Sequence, residues 1–113
     1  MATLRCGEME LPFTFTNESL AHLQVAVHRR FKKAGGFFLT GTYTADGKDV
    51  TASHWIHPAA ALAFEYDVRG DDGERLPPVE LDFARVDAIL DAMARPVGVH
   101  DGSDVWLSFR EKL

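Results

Sequence analysis

The sequence predicts an α+β fold: a single antiparallel or mixed sheet of about six strands covered by two amphipathic helices, in the order β-β-α-β-β-β-α-β, with residues 1–113 as one domain. Two segments place apolar residues at helical spacing between capping residues and breakers. Several others alternate apolar with polar residues at the period of a half-buried strand. Between two of these alternating runs stands Asp46-Gly47, a strong short hairpin signal. At 113 residues, 46% of them hydrophobic and 11% aromatic, the chain holds enough apolar surface for one core and too little length for two.

The opening reads as two short strands, Thr3 to Cys6 and Glu10 to Phe15, separated by Gly7-Glu8-Met9. Leu11, Phe13 and Phe15 alternate with Pro12 and Thr14, and Pro12 lacks the N–H a ladder needs, which places this strand at an edge. A helix follows at about residues 18 to 33. Asn17 is its expected N-cap, Glu18 suits its positive end, Leu20, Leu23, Val27 and Phe31 form its apolar stripe, and Gly35-Gly36 stop it.

Gly36 to Thr44 and Asp49 to His57 read as the arms of the hairpin. Phe37, Leu39 and Tyr43 take one face with Val50, Ala52, His54 and Ile56, and Trp55 and His57 fall together on the other. Pro58 breaks the strand, and Leu62 to Val68 is expected to add a third strand to an antiparallel meander. Arg69 to Pro78 reads as a loop from its glycines, acids and prolines. A second helix begins after an Asp82 N-cap, with Phe83, Val86, Ile89, Leu90 and Met93 on one face, and Pro96 ends it. A last strand is expected where Val105, Leu107 and Phe109 alternate with Trp106, Ser108 and Arg110.

Charge is unevenly spread. The net value of −5 disfavours polyanions overall, yet His28 to Lys33 packs four full positive charges into six residues. Arg69 to Asp91, by contrast, carries seven acids against three bases. The cluster Arg29, Arg30, Lys32 and Lys33 is therefore the first candidate binding surface, although cations also suit the negative end of a helix for reasons of stability alone. Trp55 and His57, side by side on a strand face, are the second candidate.

Catalytic and metal constellations find no support. Cys6 lacks a neighbouring base or helix N-terminus to activate it, and a lone cysteine fits a reducing compartment. His54 and His57 point to opposite faces of a strand, and His22 and His28 diverge around a helix. No phosphate-binding glycine loop is present, so neither a metal nor a cofactor is expected. The longest apolar run, Ala59 to Phe64, is far short of a membrane span, and the first residues lack the pattern of an export signal, which together point to the cytoplasm.

Leu20 to Leu23 with the basic helix end after it, Phe37-Phe38 entering a strand, Trp55-Ile56-His57-Pro58 and then Leu62 and Phe64 form a set of motifs. Across Phe15 to about Ala94 this set resembles a family of short actinobacterial proteins built on a domain of unknown function, some of them labelled ATP-dependent DNA ligases. The resemblance implies a shared fold and a DNA-linked context. An adenylating ligase uses a nucleophilic lysine in a Lys-x-Asp-Gly setting, and Gly47-Lys48-Asp49-Val50 does not match it.

Three functions follow as expectations. The first is a non-catalytic binding module acting on a protein or on a second copy through the basic helix end and the Trp55/His57 face. Next comes an accessory domain in DNA metabolism with Arg29, Arg30, Lys32 and Lys33 on phosphate. The third is a small enzyme with His57 as its acid/base.

Overall fold

A tight turn at Gly7-Glu8, with Gly7 at φ 64°, opens the fold by joining β1 (Thr3–Cys6) to β2 (Met9–Glu10). The computed structural model describes residues 2–33, 35–95 and 98–100. The second expected strand stops at Glu10, ahead of Pro12, and its continuation touches the sheet again only at the Ala2–Phe15 bridge. Leu11, Phe13 and Phe15 nevertheless keep their alternation and are all buried.

The first helix, α1, spans Asn17–Lys33. Its N-cap is Thr16, not the expected Asn17: the Thr16 hydroxyl accepts the Ser19 N–H at 3.0 Å and its carbonyl accepts the Leu20 N–H. Asn17 is thereby released for another task. Its amide donates to the Asp67 carbonyl at 2.7 Å and accepts the Asp67 N–H at 3.0 Å, pinning a distant segment to the start of the helix.

β3 (Phe37–Ala45) and β4 (Lys48–Ile56) form the expected hairpin, paired over its whole length from Phe37–Ile56 to Ala45–Lys48. Asp46 and Gly47 both have positive φ, 51° and 76°, as the favoured two-residue hairpin turn requires. The outer face carries a ladder of directly opposed pairs: Thr40 with Ser53, Thr42 with Thr51 and Thr44 with Asp49, hydrogen bonded at 2.7, 3.0 and 2.9 Å. This ladder and the turn fix one register.

The expected single sheet is in fact two. β5 (Leu62–Glu65) pairs antiparallel with β1 instead of continuing the meander beside β4, so one sheet runs β2-β1-β5. The other runs β4-β3-β6, where β6 (Val99–His100) lies parallel to β3. The corner after β4 explains the split. The Ala60 N–H bonds the His57 carbonyl at 2.8 Å, the Ala59 N–H bonds His57 Nδ1 at 3.0 Å, and the chain turns away from β4 until the Ala61 carbonyl accepts the Gly7 N–H. Across the new pairing Glu65 receives Arg5 Nε at 2.8 Å and the Thr3 hydroxyl at 3.1 Å. These bonds, Arg5 first, hold its carboxyl below the ordinary carboxylate value. The strand expected around Val105 to Phe109, with Trp106, lies outside the described residues.

α2 (Phe83–Met93) begins at Asp82, whose carboxylate accepts the Ala84 N–H at 3.0 Å as expected. It packs beside α1. Both helices and both sheets close on one core that includes Leu4, Phe13, Leu20, Phe37, Ile56 and Val86. Among the described residues no helix is long and apolar enough to cross a membrane.

His57 is thus the pivot of the inter-sheet corner. His57→Ala is expected to cost about 1 kcal/mol, the usual worth of a side-chain cap on an exposed turn, measured as a shift in the urea midpoint at unchanged slope.

Candidate functional site

Helical spacing puts Arg29 three residues from Lys32 and four from Lys33, so these cations share one face at the end of α1, with Arg30 about 100° around. α2 lies alongside and turns Asp87 and Leu90 toward them. Arg29, Arg30, Lys32, Lys33, Asp87 and Leu90 bound a groove of about 600 Å³. Within it Arg29 is held on two sides: Nη1 lies 3.7 Å from Asp87 Oδ1, and its guanidinium carbon stands 5.3 Å from the centre of the Phe83 ring. Phe83, expected on the apolar stripe of its helix, is instead 53% exposed with the Arg29 guanidinium over its ring. Arg30 Nε donates to the Gly36 carbonyl at 3.1 Å, while Lys32 and Lys33 remain exposed.

Arg30 also lines a second cleft, of about 230 Å³, with Gly36, Phe38, Trp55, Met93 and Arg95. Arg30 is common to both clefts, so the four cations and Trp55 line neighbouring clefts. Trp55 is 54% exposed, and its ring tilts at 58° against Phe38 with centroids 5.0 Å apart. It lies over Gly36, where a Cβ would come within 2.8 Å of its Cζ2.

His57 lines neither cleft. Its Nδ1 is taken by the Ala59 N–H, which makes it a turn cap. The strand alternation did separate it from His54, which is half-buried and meets the Phe13 ring edge to face at 5.4 Å. Among the described residues no group of three or more His, Cys, Asp or Glu is arranged to hold a metal ion. Cys6 is free, half-buried and packed against the core.

Sequence reasoning missed two features. His22 is fully buried between the helices: Nε2 accepts the Asp82 N–H at 2.9 Å, so Nδ1 carries the proton and donates to the Glu18 carbonyl at 2.6 Å. The signal was present, since His22 and Ala26 extend the buried face of α1 at i, i+4.

The second missed feature is the segment taken for a loop. Arg69 and Arg75 form a bridge, Leu76 N–H bonds the Val68 carbonyl at 2.9 Å, and Gly70 N–H bonds the Glu74 carbonyl at 2.8 Å. At the tip Gly73 N–H closes a turn on the Gly70 carbonyl at 3.0 Å, with Gly73 at φ 80°. The result is a small finger, exposed from Asp71 to Pro78, presenting Asp71, Asp72 and Glu74. Arg69 folds onto the Gly73 carbonyl at 3.1 Å, inside the finger. Between the finger, the Pro77-Pro78 segment and the start of α1 lies a further cleft, about 690 Å³.

No curated protein and no solved structure matches the chain. A family match does exist, and it spans both helices, both sheets, the groove and the finger: over residues 1–101 the chain belongs to the family described as domain of unknown function DUF7882.

Proposed function

We propose that the chain is a non-catalytic binding module whose basic groove holds an acidic segment of a protein partner. The observation that carries this reading is the gathering of Arg29, Arg30, Lys32 and Lys33 around a single concave groove in a chain of net charge −5. Helix stability accounts for cations at the end of α1; it does not account for a groove between two helices being lined by all four. An acidic protein segment suits the groove better than nucleic acid does. Asp87 already neutralises Arg29, Leu90 supplies an apolar wall, and the acidic remainder of the surface repels a long polyanion. The adjoining Phe38/Trp55 cleft would receive an apolar side chain from the same segment.

Titration of the full chain with a fluorescein-labelled peptide rich in Glu, Asp and Leu, read by anisotropy at low salt, tests the reading. Binding is expected to weaken at least tenfold, about 1.4 kcal/mol, in the Lys32→Glu/Lys33→Glu variant. An oligothymidine strand that binds more tightly than the peptide, with a steep salt dependence, would instead make the groove a nucleic-acid site. Loss of neither ligand on charge reversal, or binding of neither by the native chain, removes the groove from function.

A further inference from the structure

The groove and the tip of the finger are opposite in charge. One is a concavity of about 600 Å³ lined by four cations and a single carboxylate. The other is a projection closed by backbone hydrogen bonds, with Asp71, Asp72 and Glu74 at its exposed tip and the bridged pair Arg69 and Arg75 behind them at its base. They sit at opposite ends of α1. The finger adjoins Asn17 and Glu18 through the cleft they share, and the groove begins at Arg29. Arg29 lies twelve residues beyond Asn17, about 18 Å along the helix axis, which separates the base of the finger from the groove of its own chain.

We infer that the acidic segment held by the basic groove is the finger of a second copy, so that the protein associates head to tail. The inference rests on the binding reading of the groove proposed above. A contact between two different patches is heterologous, and it propagates into a ring or a short open chain instead of stopping at a two-fold dimer. The finger is preorganised by its own hydrogen bonds, and the Asn17 amide fixes its base at Asp67, so docking orders little new backbone. Because both surfaces are exposed and charged, the association is weak and sensitive to salt.

Sedimentation velocity of the full chain over a concentration series tests it. At low salt the average mass is expected to rise with concentration above the 12.5 kDa of the monomer, and to return to it at about 0.5 M salt. Lys32→Glu/Lys33→Glu in the groove and Asp71→Lys/Glu74→Lys in the finger each abolish the rise. All four positions are exposed, and circular dichroism confirms that both variants fold. Mixing the two variants restores association, because the reversed finger then fits the reversed groove. A chain that stays monomeric at every concentration while still binding the acidic peptide overturns the self-association and leaves the groove's function standing. A monomer that binds no peptide overturns both. Association that survives either pair of reversals overturns the finger-in-groove contact.

Discussion

Gly41→Val is expected to destabilise the protein by about 3 kcal/mol, even though it replaces a poor strand former with one of the best. Gly41 lies in the middle of β3, and the Phe13 ring is laid directly on its Cα. An added Cβ would stand 2.6 Å from Cε1 and 2.9 Å from Cγ of that ring. Phe13 has nowhere to retreat: it is 1% exposed, with Tyr43 and His54 against its edges at centroid distances of 6.4 and 5.4 Å. The strand preference of valine recovers less than the overpacking costs. Chemical denaturation measures the loss. The decisive control is Phe13→Ala, itself costing about 3–5 kcal/mol. If the ring is the obstacle, the double variant is more stable than the sum of the two single losses implies, by 1 kcal/mol or more; strict additivity would place the strain elsewhere.

His22→Ala is expected to cost about 2–4 kcal/mol, a fall in melting temperature of roughly 10–20 °C. The imidazole is wholly enclosed and both its nitrogens are engaged, one with the Glu18 carbonyl and one with the Asp82 N–H. Alanine leaves a cavity and takes the acceptor from the part-buried Asp82 amide. That amide belongs to the N-cap of α2, so the damage falls on the junction between the helices. Hydrogen exchange supplies the specific readout, with early loss of protection at Asp82 and in the first turn of α2. His22→Phe, which restores volume but not the acceptor, should recover part of the melting temperature and none of the Asp82 protection. Full recovery by phenylalanine would show that packing alone was at stake.

Periodicity and turn chemistry carried the sequence reading a long way. The two helices, the Asp46-Gly47 hairpin and the Asp82 cap follow from local patterns, which neighbouring residues can encode, whereas β6 at Val99–His100 is a strand the alternation does not announce. What escaped depends on distant partners. Nothing near Leu62 announces that it pairs with Cys6, because that choice is made by the His57 corner and by an edge of β1 some sixty residues away. Asn17 reads as a cap from its type, yet Thr16 competes for that role and Asp67 offers the amide a better one. The cations of the candidate site were legible as a cluster on one helix. That they form a groove was not, since Asp87, Leu90 and Phe83 come from the second helix. The finger was hidden for a different reason: glycines, acids and prolines mark a turn equally well whether or not the flanking backbone pairs.

The interleaving of the two sheets governs how the chain reaches its folded state. β1 waits for β5, and β3 for β6, each partner lying about sixty residues further along. The β3–β4 hairpin is the one extended pairing that can form early from neighbouring sequence. On the ribosome, β1 and β2 emerge long before the strand that completes their sheet, and Phe13, Phe15 and the stripe of α1 must meanwhile find temporary cover. No cut in the sequence separates one sheet from the other, so neither exists as an excisable piece. Each sheet therefore stands or falls with the other.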